Sequence, residues 1–220
     1  LMSRRPPRSP QISSSAASDV YKRQYTDTVI RYMPKTYIRL FNQFNGLTSF
    51  DELNVIQSSK SLYEELEKIT EEGLLLIAKR AYKDQSGKFA NAISVAWLLG
   101  CLNDYSPVTK YVYMHEIERK CARFAESILA SDNRAKEIET ALRYWSNMVT
   151  QYAIDITDKA VEQAYLDNDV EKVIWVTMKD ERRCVECRKR DGKIYDIAKV
   201  PPKPHLGCRC YLLPYWGGTD

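Results

Sequence analysis

The chain has 220 residues, of which 44% are hydrophobic and 28% are charged. This composition is typical of a soluble globular protein with one or two cores. Its apolar runs, such as residues 74–78, are too short to cross a membrane, and its first residues contain no signal-peptide core. We therefore expect synthesis inside a cell, where thiols stay reduced. The net charge of +4 is too small to demonstrate nucleic-acid binding, although basic ends flank an acidic middle.

Residues 1–24 combine arginine, proline and serine with almost no apolar periodicity. Such a segment cannot bury enough surface to order itself, so we predict that it is disordered. The stretch SSAASDVYKRQ within it resembles translated sequencing-adapter read-through. We therefore expect this segment to be non-native and the native protein to begin upstream. A basic arm that binds nucleic acid is the alternative.

Residues 25–168 are predicted to form a helical domain of about five helices, because apolar residues recur there at spacings of three and four. The first helix ends at Asn45-Gly46. Ser49 and Glu52 have the spacing of a capping box for a long second helix, which runs to about Lys83. The predicted buried stripe of this helix consists of Leu53, Ile56, Leu62, Leu66, Ile69, Leu74 and Ile77.

Three more helices are predicted before the pattern changes. Gln85-Ser86-Gly87 ends the long helix, and a shorter one follows over about residues 89–102. Ser106-Pro107 offers a start for a helix over 107–130. Asp132 starts the last helix, which runs to about Leu166.

Residues 169–220 are predicted to form a separate small module. Residues 173–177 are β-branched and aromatic and predict a strand. A second short strand over 193–196 is entered through the turn Asp191-Gly192, and residues 209–213 form a third. The expected fold is therefore mostly α, with a multi-helix N-terminal body followed by a small α+β zinc-binding module that contains a short β-hairpin.

Four of the six cysteines fall in this module, next to one of the two histidines. The pattern is C-x2-C, then 17 residues, then H-x2-C-x-C. Zinc favours four tetrahedral thiolate or imidazole ligands, and paired ligands joined by a linker of this length match a zinc site. The candidate ligands are Cys184, Cys187, His205, Cys208 and Cys210.

Five candidates compete for four places. We favour Cys184, Cys187, His205 and Cys208, with Cys210 as the main rival, because Cys208 and Cys210 alternate along a strand and share one face. Four protein ligands leave no open position, so the predicted zinc is structural. Buried cysteines without metal, and disulfides in an oxidising environment, are the alternatives.

A basic cluster surrounds the first cysteine pair. Its members are Arg182, Arg183, Arg188, Lys189 and Arg190. We favour a solvated face that offsets the thiolate charge, and the alternative is a nucleic-acid-binding surface that contacts phosphates. The sequence has no nucleophile-elbow, P-loop or dinucleotide motif, and one histidine outside the cysteine cluster leaves little for acid–base catalysis. We therefore expect no enzymatic activity, although an active site built from carboxylates alone stays open.

Several features around the cysteines carry a family resemblance. They are the strand with Trp175, the charged step before Cys184, the Asp191-Gly192 turn, the prolines at 201–202, and the Cys-Arg-Cys run at 208–210. Over about residues 155–215, this pattern resembles the C-terminal domain of phage minor head proteins, the head morphogenesis family similar to protein F of phage Mu. Leu206-Gly207 departs from the Pro-Asn often found in the family, but glycine can still make the turn.

The resemblance implies a minor capsid component near the portal vertex of a bacteriophage head. Its expected partners are portal and capsid proteins, and in some cases DNA during packaging or ejection. Its expected location is the virion, and the host cytoplasm during assembly. No membrane association and no small-molecule substrate are expected.

Overall fold

The computed structural model describes residues 52–103, 113–178 and 183–217, together with Asn42, which is helical. The predicted segment 1–24, the rest of the predicted first helix and the Ser106-Pro107 start lie outside the described residues. The helices are α1 (Glu52–Ser86), α2 (Val95–Asn103), α3 (Tyr113–Ala130), α4 (Arg134–Leu166) and α5 (Val185–Arg190). The strands are β1 (Lys172–Val176), β2 (Ile194–Asp196) and β3 (Tyr211–Pro214), with a 3-10 helix at Ile197–Lys199.

The long helix α1 supplies one wall of the main core, against α3 and α4. Of the predicted stripe, Leu62, Leu66 and Leu74 are buried as expected. The prediction is wrong for Leu53 and Ile56, which are 80% and 44% exposed.

Small and polar residues explain this error. The buried face of α1 continues through Val55, Ser59, Thr70 and Ala78, which lie in line with the buried leucines. A stripe predicted only from large apolar residues leaves out such small and polar positions, so it does not coincide with the buried face. Thr70 is buried because its hydroxyl accepts a hydrogen bond of 3.2 Å from the Trp145 indole N–H.

The helix ends follow local capping chemistry. Gly87 has φ +66° and donates to the Lys83 carbonyl at 2.8 Å, which ends α1 as predicted. Helix α2 begins at Val95, where the Ser94 hydroxyl accepts from the Trp97 N–H at 3.1 Å. A start at Phe89 is therefore wrong, and that side chain is 83% exposed.

Helix α4 also begins with a capped turn. The Asn133 side chain accepts from the Lys136 N–H at 3.1 Å, so Asn133, rather than Asp132, is the N-cap. The helix ends at Leu166, as predicted, and three residues later Asp169 adopts φ +55°. The Val170 N–H then returns to the Tyr165 carbonyl at 3.0 Å.

The three predicted strands form one antiparallel sheet with the order β2-β1-β3. Val173 is opposite Tyr195, and Trp175 is opposite Leu212. Strands β1 and β2 are antiparallel, and the connection between them contains helix α5. Gly192, at φ +74°, turns the chain out of α5 towards β2.

Helix α4 connects the helical body to the sheet. The Tyr165 hydroxyl lies 3.2 Å from the Gln85 side-chain oxygen and 3.2 Å from the Leu212 carbonyl, and it can donate to one of them at a time. The Tyr82 hydroxyl donates to Asp167 at 2.6 Å. The predicted domain boundary between residues 168 and 169 stays a prediction. These hydrogen bonds connect the helical body to the segment around the sheet.

In the part of the chain that the structure describes, no helix combines the length and the apolar character needed to span a membrane.

Candidate metal centre

The first cysteine pair is set by the start of helix α5. Cys184 is its N-cap residue, with an extended backbone (φ −71°, ψ 164°), and its sulfur accepts from the Cys187 N–H at 3.3 Å. The Cys184 side chain therefore folds back over the first turn, on the side where Cys187 emerges. A C-x2-C spacing at this position brings two sulfurs towards one point.

The second half of the cluster comes from the loop before β3. Gly207, at φ +66°, makes the turn that follows His205. Cys208 and Cys210 are both buried. They lie just before β3, which begins at Tyr211, so the prediction that a strand carries them is wrong. The His205 Nδ1 lies 2.8 Å from the Leu206 carbonyl. A proton on Nδ1 satisfies this hydrogen bond and leaves the lone pair of Nε2 for a metal.

All five candidate ligands meet in one cluster. The donor atoms of Cys184, Cys187 and His205 lie within 4.8 Å of one another, and so do those of Cys187, Cys208 and Cys210. Cys187 thus belongs to both groups. Its sulfur is 3.6 Å from the Cys208 sulfur and 3.4 Å from the His205 Nε2.

These distances fit the edges of a zinc tetrahedron. With bonds of about 2.3 Å to sulfur and about 2.0 to 2.1 Å to nitrogen, tetrahedral zinc spaces two sulfurs about 3.8 Å apart and a sulfur and nitrogen about 3.6 Å apart. Thiolates with one imidazole are also the donors that zinc prefers over calcium or magnesium. These two distances and the donor chemistry of the cluster therefore fit zinc.

The pKa values of the thiols in the cluster are shifted in opposite directions. Hydrogen bonds from Cys210, together with the positive charge of Lys203, lower the pKa of Cys208 to about 5. Burial and a hydrogen bond to Cys184 raise the pKa of Cys187 to about 12, and the bond to Cys208 raises the pKa of Cys210. Zinc binding here would require the cysteine ligands to release their protons.

Trp175 forms a wall of the cluster. It is 2% exposed and packs with Cys187, Cys208 and Cys210 in one buried group. Sequence reasoning used Trp175 as a mark of the strand and the family, and its role as a lining residue appears only in the structure.

The predicted basic cluster is divided by the fold. Arg183 pairs with Asp191 at 3.2 Å, and its guanidinium lies 3.2 Å from the Thr177 hydroxyl. Arg190 donates to the Pro202 carbonyl at 2.6 Å and lies over the Trp175 ring at 5.1 Å. Both arginines therefore make contacts that stabilise the C-terminal module.

The other members point elsewhere or are not described. Lys189 is exposed and pairs with Glu186 at 2.7 Å, within the same helix. Arg188 is exposed, and Arg182 lies outside the described residues. The nucleic-acid role of the cluster remains a prediction.

Sequence reasoning did not anticipate that helix α4 reaches the metal-ligand loop. The Gly207 N–H donates to the Gln151 side chain at 2.7 Å, and Lys203 forms an ion pair with Asp158. The spacing of Gln151, Asp155 and Asp158 puts them on one helical face. The sequence shows this spacing, but the spacing does not indicate that the face contacts a loop more than forty residues away.

Comparison with protein families gives a match over residues 118–213 to the family described as Phage Mu protein F like protein. These residues are similar to the phage Mu protein F-like family. The match confirms the resemblance predicted from the cysteine pattern. It begins in α3 and ends in β3, so the F-like region contains α4 as well as the cysteine cluster. Comparison with curated proteins and with solved structures gives no match.

Proposed function

We propose that this chain is a minor capsid protein of a bacteriophage that acts in head morphogenesis at the portal vertex and has no catalytic role. The observation that carries the proposal is the F-like match over residues 118–213, which coincides with the Cys/His cluster. Its partners are portal and capsid proteins, and its location is the assembling head and then the virion. Contact with DNA during packaging or ejection belongs to the same hypothesis.

We further propose that the cluster holds one structural zinc ion. Cys187, Cys208 and Cys210 are buried, and four protein ligands leave no coordination position for a substrate or an attacking water. Cys184, Cys187, His205 and Cys208 are the favoured ligands, and Cys210 is the rival for one place. Zinc binding would contribute folding free energy to a module whose own core is small.

The test of the head role is assembly with the neighbouring components of the same phage. The chain is co-expressed with the portal and major capsid proteins, and purified heads are analysed for its presence. We expect it to co-purify with portal-containing heads and with isolated portal. Absence from both, with the protein folded and soluble, would contradict the proposal.

DNA binding by the purified protein tests the nucleic-acid alternative. Among the members of the basic cluster that the structure describes, Arg188 and Lys189 are exposed. DNA binding through this cluster should therefore weaken in the double variant Arg188→Ala, Lys189→Ala. Affinity that falls steeply with salt and depends on these two residues would favour that alternative. Metal-dependent DNA cleavage, lost on carboxylate substitution, would overturn the non-enzymatic assignment.

A further inference from the structure

A polar face of helix α4 lies against the loop that carries the C-terminal metal ligands. We infer that Gln151 and the Asp158–Lys203 pair are positioning residues that hold this loop in the geometry that captures zinc. The inference rests on the proposed zinc site and goes beyond it. It assigns part of the strength of metal binding to the helical body, which contributes none of the ligands.

Gln151 makes the first contact. Its side-chain oxygen accepts from the Gly207 N–H at 2.7 Å, while its amide nitrogen donates to Asp155, one turn away, at 2.8 Å. The Asp155 bond fixes which end of the amide faces the loop. Gly207 lies between His205 and Cys208, so this one hydrogen bond anchors the turn that sets the spacing of both ligands.

Lys203 makes the second contact. Its ammonium pairs with Asp158 of α4 and also donates to the Cys208 carbonyl at 3.3 Å. The lysine side chain is only 15% exposed. Lys203 therefore ties the backbone of a ligand cysteine to helix α4.

These contacts have the character of an outer coordination shell. Residues that orient metal ligands without binding the metal commonly change affinity by about 10- to 100-fold when they are replaced. The physical reason is preorganisation: a loop already held in place loses less conformational entropy when the metal binds. The F-like match spans both α4 and the ligand loop, as a coupled unit requires.

The chain provides a matched control for each contact. Gln163 donates to Asp167 at 2.9 Å, which repeats the Gln151–Asp155 bond on the same helix without a metal loop above it. Lys159 pairs with Glu162 on the exposed side of α4. Gln163→Met and Lys159→Met thus remove the same groups as Gln151→Met and Lys203→Met, but leave the ligand loop anchored.

The experiment measures zinc release from the full chain into a chromogenic chelator, with the thermal unfolding midpoint recorded in excess zinc. We expect Gln151→Met and Lys203→Met to release zinc about tenfold faster than wild type or more. Gln163→Met and Lys159→Met should release it at the wild-type rate.

The outcomes separate this inference from the zinc site itself. If wild type contains no zinc, the proposed metal site is wrong. If wild type contains zinc and all four methionine variants release it at the same rate, the metal site stands and the positioning role is wrong. If the two test variants do not fold, hydrogen exchange of wild type decides: the Gly207 amide should stay protected after zinc removal, and exchange at the rate of an unstructured amide would overturn the inference.

Discussion

Replacement of Cys187 by serine should remove the metal, because this residue alone belongs to both groups of donors. Without its sulfur, each group of three keeps only two donors, Cys184 with His205 and Cys208 with Cys210. Neither pair offers the three or four ligands that zinc needs. By contrast, loss of Cys210 leaves the group of Cys184, Cys187 and His205 intact.

The magnitude follows from binding linkage. Free zinc at a thousandfold excess over its dissociation constant stabilises the folded module by about 4 kcal/mol. Cys187→Ser should lose this zinc-dependent increment entirely. Cys121→Ser, a cysteine in helix α3 away from the cluster, should keep it.

The assay combines metal content per chain after desalting with protease resistance of residues 169–217. We expect about one zinc per chain in wild type and in Cys121→Ser, and close to none in Cys187→Ser, whose module should become protease-sensitive. A Cys187→Ser protein that retains zinc would refute the reasoning that this sulfur joins the two groups. A metal-free wild type with a protected module would refute the zinc site.

The remaining predictions concern the choice of ligand and the helical body. Zinc should persist in Cys210→Ser and fall sharply in His205→Ala if the favoured set is right; the reverse order in metal analysis would make Cys210 the ligand. Leu74→Ala, at a fully buried site, should lower the free energy of unfolding by about 3 to 5 kcal/mol in urea titration, and a loss below about 1 kcal/mol would show that the core repacks. Burial and the charge of Glu64 raise the pKa of Glu67 from 4.5, so the folded state holds this proton more tightly than the unfolded state. Its stabilising contribution is present below the unfolded pKa and is lost as pH rises through the folded one. Glu67→Gln should therefore raise the melting temperature at pH 7 but not at pH 4, and an equal gain at both values would contradict this cause.

Much of the fold is encoded locally and was predicted from the sequence. Gly87 ends α1 because only an αL backbone continues the chain there, and the β-branched run around Trp175 forms the predicted strand. The five candidate ligands could be named because zinc sites depend on short, recurrent spacings of cysteine and histidine.

The sequence by itself thus determined the kinds of elements, their approximate limits and the chemistry of the cluster, since these depend on near neighbours in the chain. Tertiary packing decided the rest. Leu53 is exposed and Thr70 is buried because the positions of the neighbouring helices, rather than the hydrophobicity of each residue, determine which face of α1 is covered. The contacts of Gln151 and Lys203 join residues far apart in the chain, and no periodicity in either segment specifies such a partner.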